Sequence, residues 1–289
     1  SFSDGSGKGK YPMGLTCCLA DLYRDIRFPD PVYARGFTGD RCWNWNELYT
    51  GWRWTKQYLE DVKNGIVEAP KPLAGAGVEF LPDAEWCILR GEYNTAVVAK
   101  GGNNDEPHNH NDVGSFIIAG EEGQLIADFG SGEYTHEYFN EGRYDYLCNS
   151  SRGHNVPIID GKYQSAGQSF KGKVIWNGAG VFELDMAEAY AGVIKRLKRK
   201  FNLNDNYIEL TDVFEFNDDS KHDITERFVS VIKPKITDGK VAIGSMVIEC
   251  DETPILGSEH LQNHAAEDDV LYFVDYKSNT TFKIKFIMQ

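Results

Sequence analysis

Positive charge is scarce in this chain: 30 lysines and arginines stand against 44 aspartates and glutamates, a formal net charge of −14. Without surplus cations to replace the counterions of a phosphate backbone, nonspecific nucleic-acid binding is excluded as a role. A heavily sulfated polyanion is an awkward partner for the same reason. Long apolar runs are also missing, and nothing approaches the roughly 20 residues that a membrane-crossing helix requires. The six cysteines (Cys17, Cys18, Cys42, Cys87, Cys148 and Cys250) form no CxxC pair and no zinc-ribbon spacing. Most are read as buried thiols, with a disulfide left open. The opening residues carry no signal-peptide pattern. Gly5–Lys10 is rich in glycine and lysine but does not meet the phosphate-loop consensus, so a flexible loop is expected there.

What the sequence does contain is 289 residues, enough for a sizeable core, with 29 glycines and many aromatics. That mixture fits a turn-rich β protein. Two stretches, 12–27 and 44–63, carry helical spacing. In the second, Trp45, Leu48, Tyr49, Trp52, Leu59 and Val62 recur at three- and four-residue steps, which predicts a helix buried along that stripe. Pro70, Pro72, Gly75 and Gly77 then predict a boundary near residue 75, giving a helical segment over 1–75 and a β domain over 76–289.

Beyond the boundary the periodicity shifts to two. Strands are predicted at 86–90 and 96–100, and from 173 onward at 181–186, 192–203, 207–216, 225–232, 241–249, 270–276 and 281–287. A hairpin turn is expected at Asn204-Asp205-Asn206. Such strands without intervening helices predict an antiparallel β-sandwich. The basic run Lys195–Lys200 falls inside one of them, so its charges are expected to divide between two faces, chiefly as a solvated surface.

The densest site chemistry lies in Pro107-His108-Asn109-His110-Asn111-Asp112-Val113-Gly114-Ser115-Phe116. In an extended chain the side chains of residues i and i+2 point the same way, so His108 and His110 are expected to share a face. Asp128, at the end of a short apolar run, and His154, just ahead of another, complete a set of two imidazoles and one carboxylate with His110. That donor set suits zinc with a fourth position open. A polar turn with unengaged histidines is the alternative that these residues leave standing.

Together with Ile126-Ala127-Asp128-Phe129-Gly130, Arg143-Tyr144 and His154-Asn155 leading into Ile159-Asp160-Gly161, the histidine run resembles the C-terminal β-sandwich module of the heparinase II/III-like polysaccharide lyases. The resemblance implies a supersandwich-type fold, preceded by the end of an (α/α) toroid of which most is absent from this chain. It also implies a structural zinc held by His110, Asp128 and His154, with His108 lining the catalytic cleft. A tyrosine between the second and third ligands is expected to face the cleft as well. Tyr134, Tyr138, Tyr144 and Tyr146 are candidates, with Tyr144 preferred because it belongs to the Arg143-Tyr144 block. Some members carry asparagine immediately before the first histidine; this chain has Pro107, so any role of that asparagine is not carried over.

The implied activity is β-elimination from a uronate-containing acidic polysaccharide, by a secreted or periplasmic bacterial enzyme. The partner is its own N-terminal toroid, without which these residues are expected to cleave little. Two rival readings remain at this point. One is a non-catalytic glycan-binding or structural zinc sandwich. The other is a cupin-like metalloenzyme, disfavoured because Val113 and Gly114 stand where a cupin places its glutamate.

Overall fold

The computed structural model describes residues 45–66, 77–91, 95–120, 122–176, 178, 180–190, 192–204 and 206–289, with side chains from residue 52 onward. The helix expected over 12–27, the loop at Gly5–Lys10, and Cys17, Cys18, Cys42 and Trp43 lie outside the described residues. Two compact units divide the chain, with the break between Ala74 and Gly75.

In the first unit, α1 (Trp45–Lys63) forms where helical spacing predicts it. Its burial differs from the expected stripe. Thr55 and Tyr58 are buried, whereas Trp52, a residue of the stripe, is 49% exposed. The side chains of Trp45, Leu48 and Tyr49 lie outside the described residues.

The second unit holds eighteen strands among the described residues, paired antiparallel, in three sheets. A five-stranded sheet runs β1 (Gly77–Leu81), β2 (Trp86–Arg90), β3 (Ala96–Lys100), β5 (Phe116–Gly120) and β6 (Gly123–Ile126). The nine-stranded sheet begins with β13 (Lys235–Thr237), β14 (Lys240–Ile243), β15 (Met246–Glu249) and β18 (Thr281–Met288). It continues through β11 (Tyr207–Phe216), β10 (Ile194–Leu203), β9 (Val181–Asp185), β8 (Gly167–Trp176) and β4 (Gly102–Asn104). Four strands make the third sheet: β16 (Ile255–Gln262), β17 (Asp268–Ser278), β12 (Ile224–Ser230) and β7 (Ile158–Ile159).

The period-two pattern explains the central pairing. On β10 the buried residues are Ile194, Leu197, Arg199 and Phe201, and on β11 they are Ile208, Leu210, Asp212 and Phe214. The expected hairpin joins these strands, with Asn204 donating its N–H to the Tyr207 carbonyl. Phe116 sits where the three sheets meet. Its ring lies 4.9 Å from Phe201, 6.0 Å from Phe286 and 6.1 Å from Phe228, each in an edge-on arrangement. Burying each such ring contributes about 1.5–3 kcal/mol. The histidine run ends at Phe116, so the central core ring is covalently continuous with the candidate site.

Arg199 departs from the solvated face expected for the basic run: it is fully buried, whereas Lys195, Arg196 and Lys200 are exposed. The predicted strand over 241–249 is two strands, β14 and β15, which fold back at Gly244-Ser245. Cys87 and Cys148 are buried thiols, and Cys250 is a half-buried one. Desolvation pushes the Cys87 thiol up to about 11, so it packs as an inert apolar group.

Candidate metal centre and its flanking loops

The candidate ligands come from three segments that the strands bring to one place. His110 lies on the connection entering β5, Asp128 two residues past β6, and His154 ahead of β7. All three are buried, and one potential ligand atom from each lies within 4.8 Å of the others. The rings of His110 and His154 are 5.3 Å apart, tilted by 47°.

His154 has a hydrogen-bond partner on each ring nitrogen. Nε2 is 2.8 Å from the Cys148 carbonyl, which can only accept, so Nε2 carries a hydrogen. Nδ1 is 3.1 Å from Asp128 Oδ2. In the neutral tautomer set by Cys148, two lone pairs would therefore face each other across the Asp128–His154 gap. Only a cation, either a second proton or a metal ion, resolves that arrangement. Burial pushes Asp128 upward, but the charge and hydrogen bond of His154 outweigh it and hold the carboxyl below the ordinary range. Burial likewise opposes charge on His154, and Asp128 overrides it to raise the imidazole. The other oxygen of Asp128 accepts the Gly130 N–H at 2.9 Å, which fixes the carboxylate. Backbone carbonyls and amides that orient imidazole and carboxylate in this way are the usual outer support of a metal site. Two imidazoles and a carboxylate with their outward atoms tied down fit zinc.

Asn155 holds the three segments in register. Its Nδ2 donates to the carbonyls of Phe116 at 2.7 Å and Ala127 at 2.8 Å, while its Oδ1 accepts the Val229 N–H at 2.7 Å. One amide thus stitches the ends of β5 and β6 to β12. Gln164 does similar work on the histidine run: it bonds both the N–H and the carbonyl of Val113 and accepts from Asn104. Beside them Lys100 and Asp112 form a buried ion pair at 2.7 Å. Burial alone would lower Lys100, but Asp112 outweighs it and keeps the ammonium charged. The sequence reading missed Gln164, Lys100 and Arg199, and it carried Asn155 only as part of a motif. Asn155 had the clearest signal, as a polar residue between His154 and an apolar run.

His108 and His110 do not share a face. His110 is wholly buried, whereas His108 is exposed in a turn with a φ of 62°. The extended geometry fails because the chain reverses after β4: the Asn109 N–H bonds back to the Glu106 carbonyl at 3.0 Å. A left-handed conformation at a non-glycine residue carries strain, which marks the position for attention.

The Arg143-Tyr144 block closes onto the same turn. Arg143 Nη2 donates to the Asn109 carbonyl at 2.8 Å, and the Tyr144 hydroxyl to Asn109 Oδ1 at 3.2 Å. Tyr144 and the residue after His108 are therefore in direct contact. Tyr138 is fully buried beneath the Arg143 guanidinium, Tyr146 bonds Thr135 Oγ1 through its hydroxyl, and Tyr134 is 42% exposed.

The family model described as heparinase II/III-like, C-terminal, matches residues 74–253. The chain belongs to this family. Solved structures of similar fold include a heparinase III, the BT4657 gene product, with TM-score 0.64 at 15% identity. They also include the heparan sulfate lyase HepC from Pedobacter heparinus, 0.63 at 13%, and another heparinase III, 0.63 at 14%. Each alignment covers 99% of this chain but only 42%, 43% and 44% of those proteins respectively. This heparinase II/III-like chain thus spans under half the length of the solved proteins it resembles. No curated protein matches its sequence. No helix among the described residues is long and apolar enough to cross a membrane.

Proposed function

We propose that this heparinase II/III-like chain is the C-terminal part of a polysaccharide lyase that cleaves uronate-containing glycans by β-elimination. His110, Asp128 and His154 hold a structural zinc, and His108 and Tyr144 face the cleavage cleft. The observation that carries this reading is the meeting of two motifs at Asn109: Arg143 and Tyr144 both bond the residue between the two histidines. The turn that carries an exposed imidazole is thereby bonded to a phenol, and a buried set of metal donors lies behind it.

Elimination removes the proton at C5 of the uronate and expels the oxygen on C4. Charge builds on the adjacent carboxylate as the proton leaves, and donors aimed at that charge lower the barrier. One side chain accepts the C5 proton and another protonates the departing oxygen; imidazole and phenol suit these tasks, each worth about 10²–10⁴-fold. Bound zinc would supply rigidity to the segment that carries His110. Asn155, Gln164 and Arg143 hold the same segment from the protein side. The near-complete burial of the three donors supports a structural role over substrate ligation.

The remaining cleft surface, including groups that neutralise the substrate carboxylate, belongs in this proposal to an N-terminal toroid within a secreted or periplasmic bacterial enzyme. These 289 residues alone then cleave little. The chain extended by that toroid is to be screened on uronate polysaccharides, following the ultraviolet absorbance of the unsaturated product. Cleavage that His108→Ala abolishes supports the proposal. Undiminished function in His108→Ala would favour a non-catalytic glycan-binding sandwich instead, and strong turnover by the 289-residue chain would remove the need for the toroid.

A further inference from the structure

The segment between Asp128 and His154 also carries an aromatic surface that the cleavage chemistry does not use. Phe139 is 57% exposed and Tyr134 42% exposed, their rings 4.9 Å apart and edge-on. His264, from the turn between β16 and β17, lies 4.2 Å from Tyr134. The group is firmly seated. Buried Tyr138 contacts both rings, at 5.0 and 5.3 Å, and Gly132 bridges to Asn263. Arg143, which lies over Tyr138 and donates to the Asn109 carbonyl, links the ring beneath this surface to the turn that carries His108.

Its surroundings are acidic. Glu133, Glu137, Glu141 and Asp145 come from the same segment, Glu267 from the β16–β17 turn, and Asp268 and Asp269 from the start of β17. Of the two arginines in the segment, Arg143 is committed to the carbonyls of Tyr138 and Asn109, and Arg152 pairs with Glu259 at 3.1 Å. Exposed rings beside hydrogen-bonding groups such as Asn140 and His136 suit the apolar face of a pyranose. Clustered carboxylates repel sulfate and carboxylate groups at short range.

We propose that Tyr134, Phe139 and His264 form a stacking subsite for an uncharged pyranose ring of the glycan. This rests on the lyase reading for the polymer but not on its chemistry. The subsite selects by charge as well as by shape: a sulfated hexosamine meets the acidic rim and is rejected.

The test uses the 289-residue chain and two tetrasaccharides of alternating hexuronate and N-substituted hexosamine. One is unsulfated and N-acetylated, the other N- and 6-O-sulfated, and binding is followed by calorimetry and by NMR of the aromatic signals. The expected result is binding of the unsulfated probe that shifts the Tyr134 and Phe139 resonances. Phe139→Ala and Tyr134→Ala should each weaken it about tenfold, with Phe139→Trp restoring it. Cleavage that survives His108→Ala in the toroid-extended chain would count against the lyase reading alone, because binding at the subsite is read separately. Equal affinity in the alanine variants, tighter binding of the sulfated probe, or no binding of either would overturn the subsite. A self-associating chain that Phe139→Ala renders monomeric would also overturn it, by assigning the rings to a second copy.

Discussion

Arg199 reaches the backbone of the candidate metal centre: its Nη1 donates to the carbonyl of Asn155, next to His154, at 2.6 Å, and to Gly114 at 3.0 Å. The guanidinium is wholly buried and also pairs with Asp212 at 2.6 Å and Glu226 at 3.3 Å. Two carboxyl groups and one arginine leave one negative charge too many for a dry core. Burial and the Asp212 charge together raise Glu226 well above the ordinary carboxylate range, so it is the group that keeps its proton.

The charges of this cluster therefore respond unequally to substitution. Arg199→Met leaves Asp212 buried and uncompensated, and urea denaturation should show a loss of about 3–5 kcal/mol. Replacing Arg199 and Asp212 together by apolar residues should recover most of that loss. Glu226→Gln should change stability by less than about 1 kcal/mol, because it replaces one neutral group by another.

Gly114 tests the packing behind the histidine run. Its φ is 88°, and a Cβ there would lie 1.9 Å from Met186 Sδ. Gly114→Ala should cost about 2–5 kcal/mol through overpacking and backbone strain combined. Adding Met186→Ala should relieve the clash but not the strain, so thermal unfolding of the double variant should recover less than the overpacking share.

A pH-dependent clasp joins the turn after β7 to the turn before β12. His222 Nδ1 lies 2.7 Å from Asp160 and Nε2 3.1 Å from Asp218, with the ring stacked on Phe216 at 3.8 Å. The hydrogen bond to Asp160 is the main cause that raises the imidazole above 6.5. The stability it contributes is complete below that ordinary value and disappears as pH rises through the raised one. Asp160 is lowered chiefly by its bond to His222, and Asp218 chiefly by Ser220; their contribution is present above 3.8 and is lost as pH falls through their lowered values. Proton NMR should place the His222 transition above that of a free histidine. His222→Ala should flatten the pH dependence of stability over that interval.

Much of the sandwich was legible because its central strands alternate cleanly. Tyr207–Phe216 is predicted and found with the same ends, since Ile208, Leu210 and Phe214 point inward at every second step. Ile255–Gln262 was missed because it is largely exposed and lacks that alternation. The division of β14 from β15 hides in Gly244, whose positive φ makes the turn but whose neighbours read as one apolar run. In the candidate site, residue types and order pointed to His110, Asp128 and His154, which the strands do bring together. The pairing of His108 with His110 misled because period-two reasoning holds only in extended chain, and the turn at His108 breaks it. Arg199 was unreadable because its partners Asp212 and Glu226 lie 13 and 27 residues away.

Metal content per chain tests the central claim most directly, measured by inductively coupled plasma mass spectrometry on protein refolded with excess zinc and then desalted. The account predicts one zinc per chain, lost in His110→Ala, Asp128→Ala and His154→Ala but kept in His108→Ala. A zinc-free wild-type chain, or zinc retained when all three ligands are removed, would contradict it.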